Sequence, residues 1–283
     1  MFQIIVSGLC LTGDDHNLLY FSLLFFIIAC VKKIRQTAAD FFKNLQQLFW
    51  QNCCRLCNNT IAEDEKYFCS DCWQRLGSCV VDSHCLRCGK ELSDFAKLPN
   101  GCPDCFEQNF HFESISCVGI YREPLRSLII KFKLADKTGL LKPLANLAQG
   151  AIERTNFSGQ IDFVVPVPLH WRKRFKRGFN QSALIARGLR LSGAKLNTDL
   201  VRIRHTEEQS LLSAYARMKN IKGAFAVRKN HNLTGKNICL VDDIKTTGAT
   251  LNECAKVLKE AGADKVFAFV LAVAGQKEFG GGD

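Results

Sequence analysis

The fold of this chain is most clearly indicated by Asn237-Ile-Cys-Leu-Val-Asp-Asp-Ile-Lys-Thr-Thr-Gly-Ala-Thr250. Its first five residues form a mostly apolar run that is too short for a helix and suits a central strand covered on both faces. Asp242 and Asp243 follow at the predicted carboxyl end of this strand, where open α/β sheets bind ligands. A small hydroxyl-rich loop comes next, so we predict a strand, a binding loop and then a helix.

The loop after the predicted strand is suited to hold the phosphate of a sugar. Backbone N–H groups at a helix start, with the positive end of the helix dipole, bind a phosphate dianion. Threonine hydroxyls add donors, and Gly248 lets the backbone approach the ligand because it has no Cβ. The predicted phosphate-binding residues are Thr246, Thr247, Gly248, Ala249 and Thr250.

The two acidic residues before the loop suit the sugar itself. Asp242 and Asp243 can accept hydrogen bonds from vicinal ribose hydroxyls, and their negative charge favours a cationic, oxocarbenium-like sugar carbon. One alternative is the magnesium-binding strand of a P-loop ATPase, but no G-x-x-x-x-G-K-[ST] motif occurs upstream. The other alternative is a strand end with two solvated aspartates and a polar turn.

Residues 113–275 alternate strand-like and helix-like segments, which indicates an α/β domain with a mostly parallel sheet flanked by helices. Helical spacing of apolar residues after the loop predicts one helix, and Gly262 is expected to end it. The other predicted elements are strands at Ser114 to Tyr121 and Ile161 to Val167, and helices at Pro124 to Lys133, Thr138 to Ile152 and Asn180 to Leu191.

The chain has 15 cysteines, and many of them form Cys-x-x-Cys pairs in residues 52–112. Four such pairs in a short segment favour two structural zinc ions (Zn2+) over disulfides, because each pair of sulfurs reaches one tetrahedral metal. Sequential pairing of neighbouring Cys-x-x-Cys turns is simplest, and cross-brace pairing remains open. The predicted ligands are Cys54, Cys57, Cys69, Cys72, Cys85, Cys88, Cys102 and Cys105.

The remaining cysteines and the thiol-rich composition bear on packing and location. Cys53, Cys79 and Cys117 fit no pair and are predicted to be buried apolar side chains, while His84 is a weak spare-ligand candidate. Zinc thiolates indicate a reducing compartment, so we expect a cytoplasmic protein.

The two ends of the chain carry less information. Residues 1–51 form an extension of uncertain role, and Leu18 to Val31 is an apolar run that is short for a transmembrane helix. Its length favours an unstructured or packed extension over a membrane anchor. Residues 276–283 are expected to form a flexible tail.

The formal charge of +11 suits an anionic partner, either nucleic acid or a phosphorylated small molecule. Its densest basic run is Trp171-Arg-Lys-Arg-Phe-Lys-Arg177, in which aromatic residues are interleaved. This run could neutralise a departing pyrophosphate, grip single-stranded DNA, or form a solvated loop.

Val241-Asp-Asp-Ile-Lys-Thr-Thr-Gly-Ala-Thr250 resembles the phosphoribosyl pyrophosphate signature of type I phosphoribosyltransferases. Neighbouring motifs narrow the resemblance to the ComF family, with its ComFC-like and GntX-like members. The resemblance covers residues 54–273. It includes the cysteine array, which matches that family's amino-terminal double zinc ribbon. The motifs are Val165-Pro-Val-Pro-Leu169, Arg177-Gly-Phe-Asn-Gln181, Arg202 and Arg204 before Thr206 and Gln209, Arg217 with Asn220, and Gly223-Ala-Phe225.

This resemblance implies a type I phosphoribosyltransferase fold with a small amino-terminal zinc-ribbon domain. It implies that Asp242 and Asp243 bind the ribose hydroxyls of phosphoribosyl pyrophosphate, that residues 246–250 bind its 5-phosphate, and that Mg2+ accompanies it. The stretch Val165 to Pro168, with Val165 and Pro166 as the binding residues, would lie near the pyrophosphate. The family is associated with natural competence, so single-stranded DNA, the competence helicase and other DNA-uptake proteins are the implied partners.

Two functions stay open at this point. One is an enzyme that displaces pyrophosphate from phosphoribosyl pyrophosphate, with Asp242, Asp243 and Arg177 as candidate catalytic residues and an unknown acceptor. The other is a non-catalytic adaptor for single-stranded DNA that uses the same pocket to sense the sugar phosphate. No residue is identified as a general base.

Overall fold

The computed structural model describes most of the chain from residue 53 to residue 275. The described residues are 53–80, 84–92, 101–106, 108–134, 138–169, 178–204, 214–229 and 232–275, with the single positions 28, 31, 32 and 36. The tail that is predicted to be flexible and most of the apolar run at Leu18 to Val31 lie outside them. Within the described part of the chain, no helix has the length and apolar character needed to cross a membrane.

A five-stranded parallel sheet forms the centre of the carboxy-terminal domain. The strands of the chain are β1 (Ile115–Ile120), β2 (Phe163–Pro166), β3 (Lys195–Leu196), β4 (Leu200–Arg202), β5 (Phe225–Val227), β6 (Ile238–Lys245) and β7 (Val266–Val273). The order in the large sheet is β1-β7-β6-β2-β3. All eight residues of β7 are buried, as expected for an apolar strand covered on both faces.

Helices cover both faces of this sheet. They are α1 (Ser70–Gly77), α2 (Pro103–Phe106), α3 (Leu125–Leu134), α4 (Thr138–Glu153), α5 (Gln181–Gly188), α6 (Ala214–Ile221) and α7 (Ala249–Glu260). Residues of α3, α4 and α5 share a core with Cys239 and Val241 of β6. The opposite face of β6, with Ile238 and Leu240, packs against α7. The alternation along β6 therefore separates two hydrophobic layers.

The predicted α/β class and the parallel sheet are confirmed. The predicted strands correspond to β1 and β2, and the predicted helices correspond to α3, α4 and α5. The apolar residues of the helix after the loop are buried as expected, and that helix ends just before Gly262, which has a φ of 91°. The buried residues of α7 are Leu251, Cys254, Ala255 and Leu258.

The central strand is longer than the apolar pattern predicts. Strand β6 does not end at Val241 but continues through both aspartates to Lys245. The reason is its neighbour β7, which extends equally far, so that Asp242 pairs with Val270 and Lys245 pairs with Val273. Because partners for the backbone are present, polar side chains do not end the strand.

Two smaller parts surround the sheet. Strands β4 and β5 form a separate antiparallel pair, which packs against α7. We call residues 53–80 the first ribbon, and residues 84–92 together with 101–106 the second ribbon. Each begins with an isolated bridge, Cys53 with Thr60 in the first and His84 with Glu91 in the second.

The unpaired cysteines do not all behave as predicted. Cys79 is buried at 1% exposure, which confirms the prediction. Cys117 is half-buried and Cys53 is exposed, so the prediction is wrong for Cys53. Its backbone, rather than its thiol, contributes to the first ribbon, through the bridge to Thr60.

Candidate phosphoribosyl-binding site and metal centres

Asp242 lies near the carboxyl end of β6 and is held by two hydrogen bonds. The hydroxyl of Ser182 donates to Oδ1 of Asp242 at 2.9 Å, and the backbone N–H of Asp243 donates to the same oxygen at 2.9 Å. Burial, with repulsion from Asp243, raises the pKa of the Asp242 carboxyl to about 7. The two donors oppose this rise because they stabilise the carboxylate.

Asp243 forms an ion pair with a residue of α3. Nζ of Lys133, in the last turn of α3, lies 2.9 Å from Oδ2 of Asp243. Both side chains retain about a fifth of their exposure, at 22% for Lys133 and 18% for Asp243. The two aspartates are neighbours in a strand, so their side chains leave opposite faces of β6. Each therefore has its own set of partners.

The predicted phosphate loop lies between β6 and α7. Thr246, Thr247 and Gly248 connect the two elements, and α7 begins at Ala249 with Gly248 as its N-cap. Gly248 has a φ of 82°, a left-handed conformation that favours glycine. The backbone N–H of Ala249 donates to the Thr247 hydroxyl at 3.3 Å. The helix start and its threonines thus occupy the arrangement expected for an anion site.

Lys245 lies directly beneath this loop and is almost completely buried, at 8% exposure. A Cβ added to Gly248 would lie 3.1 Å from Cε of Lys245 and 3.5 Å from Cε1 of Phe110. Burial lowers the pKa of Lys245, and the four thiols of the second ribbon oppose this effect. A cation therefore lies between the loop and the second group of cysteines.

A third cation approaches from the small antiparallel sheet. Arg202 of β4 lies over the ring of Phe225 of β5, 5.4 Å from its centre. Burial lowers the pKa of Arg202, while attraction to Cys254 and to Asp242 opposes the shift. Lys133, Lys245 and Arg202 thus contribute positive charge around the aspartates and the loop.

Of the residues predicted near the pyrophosphate, the stretch Val165 to Pro168 is described. Val165 and Pro166 lie on β2 beside Leu240 and Val241, so they end at the same edge of the sheet as Asp242. Both are buried, so a ligand could reach this segment mainly through the backbone that follows it. Arg177 and the basic run that precedes it lie outside the described residues.

The eight predicted cysteine ligands form two compact groups. The first tetrad is Cys54, Cys57, Cys69 and Cys72, and the second is Cys85, Cys88, Cys102 and Cys105. In each tetrad all the sulfurs lie within 4.8 Å of one another, so the sequential pairing is confirmed. Sγ–Sγ distances within the tetrads include values of 3.6 to 3.7 Å, and sulfurs at 2.3 Å from a tetrahedral metal are about 3.8 Å apart. Both groups could hold structural zinc.

In each tetrad one thiol is more acidic than a free cysteine, while burial raises the pKa of others, among them Cys72 and Cys88. Burial raises the pKa of Cys54, but backbone N–H donors, chiefly those of Cys57 and Cys69, outweigh it and lower the pKa to about 6. In the same way, burial of Cys85 is outweighed by the backbone of Cys88 and Cys102, and its pKa falls to about 7. The N–H of Cys102 donates to Sγ of Cys85 at 3.2 Å. His84 belongs to neither tetrad.

Two partners of the aspartates are absent from the sequence prediction. Ser182 lies 60 residues before Asp242, and Lys133 ends a predicted helix to which the sequence assigns no role in the site. A signal for Ser182 exists, because Asn180 caps α5 by accepting from the Ser182 N–H, which directs the start of this helix toward the strand ends. No comparable local signal identifies Lys133.

A parallel sheet with adjacent acids on its central strand, followed by a threonine-glycine loop at a helix start, defines a protein of the phosphoribosyltransferase class. The family model described as "Phosphoribosyl transferase domain" matches residues 134–279, more than half of the chain. The chain belongs to this family.

Curated relatives narrow the relationship. Competence protein F of Haemophilus influenzae is 33% identical over 226 residues, which cover 77% of this chain and 96% of that protein. DNA utilization protein YhgH of Salmonella typhimurium is 32% identical over 75% of this chain and 93% of its own length. Competence protein ComFC of Bacillus subtilis is 25% identical over 77% of this chain and 93% of its own length. The chain is therefore a ComF homologue, as the sequence motifs indicate.

Proposed function

We propose that this protein binds phosphoribosyl pyrophosphate with Mg2+ at the carboxyl end of β6. The observation that carries this proposal is the succession of Asp242, Asp243 and a helix-capping loop on one central strand. In this proposal residues 246–250 bind the 5-phosphate and the two aspartates accept hydrogen bonds from the ribose hydroxyls.

The charges around the loop support an anionic ligand. Lys133, Lys245 and Arg202 are cations of the surrounding elements, and the start of α7 adds the positive end of its dipole. Thr247 already accepts from the Ala249 N–H, so part of the loop geometry exists before a ligand arrives. Preorganised donors of this kind lose little freedom on binding.

The pyrophosphate is proposed to lie beside the end of β2, with Val165 and Pro166 as backbone neighbours and Arg177 as a candidate cation. Mg2+ is bound by oxygen ligands and commonly by substrate phosphates together with one or two carboxylates. Asp242 and Asp243 are the described carboxylates that suit this role. The metal would reduce the negative charge of the ligand.

As a transferase, the protein would break the bond between C1 of the ribose and the pyrophosphate oxygen, whose electron pair leaves with pyrophosphate. A nucleophile on the acceptor would form the new bond to C1 and release its proton. Negative charge on Asp242 and Asp243 stabilises the cationic sugar carbon between these events.

The relatives carry the names of competence and DNA utilization proteins, which supports a role in natural competence and DNA uptake. A second candidate function follows from the +11 charge and the basic, aromatic run at residues 171–177. In it the protein is a non-catalytic adaptor for single-stranded DNA that senses phosphoribosyl pyrophosphate. Candidate partners are the competence helicase and other DNA-uptake proteins, in the cytoplasm.

Calorimetric titration tests ligand binding directly. Wild-type protein should bind phosphoribosyl pyrophosphate in the presence of Mg2+, and the double substitution Asp242→Asn with Asp243→Asn should abolish the signal. Asp264→Asn is the matched control, because Asp264 is exposed at the opposite end of β7. No heat of binding for the wild type, or equal binding by the double variant, would overturn the proposal.

A pyrophosphate-release assay with bases, amines and single-stranded DNA as acceptors separates the two functions. Release that disappears in the double aspartate variant supports the transferase. Binding of both the sugar phosphate and DNA, with no release for any acceptor, supports the adaptor.

A further inference from the structure

The second ribbon packs against the carboxyl end of β7, beside the strand β6 that leads into the phosphate loop. A Cβ added to Gly89, next to the predicted ligand Cys88, would lie only 2.8 Å from Cγ2 of Val273. Val273 ends β7 and is the register partner of Lys245 on β6. The backbone N–H of Ile115 also donates to the carbonyl of Leu86 at 2.9 Å. This ribbon therefore packs against the start of β1 and against the end of β7, where Val273 pairs with Lys245.

The chain that leaves the second ribbon is bonded to the helix that follows the loop. Asn252, in the first turns of α7, accepts from the N–H of His111 at 2.6 Å and donates to the carbonyl of Asn109 at 3.1 Å. Phe110, between these residues, packs against the second tetrad and lies close to Gly248. Residues 109–111 thus connect the second ribbon both to α7 and to the loop.

Lys245 also lies against the loop, close to Gly248. Because its side chain is buried, its positive charge needs a partner. Within the described part of the chain, no carboxylate forms an ion pair with it, although it is almost fully buried. A buried charge is costly unless it is paired. A divalent zinc with four thiolates carries a net charge of −2, and all four thiols of the second tetrad act on Lys245. A metal-thiolate group at this tetrad would supply the anion that the lysine lacks.

We propose that metal bound at the second tetrad fixes the phosphate loop through Lys245, so that occupancy of this ribbon controls sugar-phosphate binding. Lys245 is then a positioning residue, held beneath Gly248 by the metal-thiolate group. Without the metal, the lysine loses its counter-charge and the attachment formed by Phe110 and Asn252 loosens. The effect on ligand binding rests on the proposed function, whereas the effect on the loop does not.

The first test compares ligand substitutions in the two ribbons of the full-length protein. Cys102→Ser and Cys69→Ser should each lower the zinc content by one per chain. Hydrogen exchange of residues 246–252 should accelerate at least tenfold in Cys102→Ser and stay within twofold of wild type in Cys69→Ser. A β7 peptide, residues 266–273, reports global unfolding in the same experiment. Equal exchange of the loop in the two variants would overturn the proposal.

The second test leaves both tetrads intact. Lys245→Met should retain both metals, accelerate exchange of residues 246–252 and shift the thiolate-to-metal charge-transfer bands of the cobalt-substituted second site. Lys236→Met, at the other end of β6, is the matched control and should leave bands and exchange unchanged. Unshifted bands in Lys245→Met would show that this lysine does not act on the thiolates, and the proposal would fail.

Binding of phosphoribosyl pyrophosphate with Mg2+ provides the third measurement. Affinity should fall at least tenfold in both Cys102→Ser and Lys245→Met. If the wild type does not bind the sugar phosphate at all, the proposed function is wrong, and the exchange comparison still decides whether the second ribbon controls the loop.

Discussion

The two ribbons begin with the same local structure and end with different neighbours. In the first, Asn58 N–H donates to the carbonyl of Cys54 at 2.9 Å, and in the second, Gly89 N–H donates to that of Cys85 at 2.7 Å. Asn58 and Gly89 both have positive φ, at 65° and 77°. The first ribbon packs against α3, where Nζ of Lys131 donates to the carbonyl of Leu56 at 2.6 Å. The second packs beside the phosphate loop.

The same tetrad arrangement therefore has two different packing environments in a single chain. The first ribbon shares the main hydrophobic core through Cys54, Phe68 and Cys72, so it stabilises the layer that carries Lys133 and hence Asp243. The second forms a small core of its own around its four buried cysteines and contacts the loop. In the proposed site, the first ribbon thus supports the acidic half, formed by Asp242 and Asp243, and the second supports the phosphate half, formed by the loop.

The largest expected effect is loss of a metal ligand. Cys72→Ser should remove the first metal and with it much of the folding free energy of that ribbon, on the order of 10 kcal/mol per structural site. Because this ribbon shares the main core, the Tm of the whole domain should fall. Cys88→Ser should affect the domain Tm less. Calorimetry with zinc quantification measures both, and a greater fall in Tm for Cys88→Ser would contradict the comparison.

The two positive-φ positions should differ in their tolerance of a side chain. Gly89→Ala combines a strained backbone with a contact of 2.8 Å to Val273, so a loss of about 2 to 3 kcal/mol is expected. Asn58→Ala lacks the clash, because asparagine already carries a Cβ, and should cost about 1 kcal/mol. Denaturant unfolding of both variants measures the difference. Similar losses would show that the second ribbon packs no more tightly than the first.

Binding at the acidic half should depend on pH near neutrality. The raised pKa of Asp242, about 7, means that its acceptor form is lost below that pH, so affinity for phosphoribosyl pyrophosphate should fall about tenfold per unit there. Ser182→Ala removes a hydrogen-bond donor to the Asp242 carboxylate, so the midpoint of the affinity profile should move to higher pH. Asp242→Asn should flatten the part of the profile that does not come from the ligand's own phosphates.

The same group affects stability with a definite sign. Because folding raises the pKa of Asp242, its stabilising contribution is complete below the unfolded value of about 4 and is lost as the pH rises through 7. Titrations of affinity and of unfolding from pH 5 to 8 check both expectations. A midpoint that moves downward in Ser182→Ala would refute the role assigned to that hydroxyl.

The smallest expected effect concerns the contact between the first ribbon and α3. Lys131→Met removes the bond to the Leu56 carbonyl and should lower the free energy of unfolding by about 1 kcal/mol. Lys142→Met, on the exposed face of α4, is the control and should change it by less than about 0.5 kcal/mol. Equal effects of both substitutions would indicate that this hydrogen bond does not stabilise the packing of the first ribbon against α3.

Much of the fold could be predicted from local patterns. The apolar run before Asp242, the helical spacing after Gly248 and the Cys-x-x-Cys turns each act over a few residues, and all three predictions are confirmed. The predicted end of β6, at Val241, is four residues too early, because pairing with β7 extends the strand beyond its apolar part. Contacts of the aspartates with Ser182 and Lys133 involve distant parts of the chain, so local patterns could not reveal them.

By itself, the sequence determined the class of the protein, the paired acids, the phosphate loop and the eight thiols of the two tetrads. These depend on residue type and spacing, which set backbone conformation and ligand chemistry locally. Only the tertiary structure decided that Lys245 lies between the loop and the second tetrad, and that the two ribbons pack against different elements. The physical reason is that the environment of a side chain depends on which surfaces the whole chain brings together.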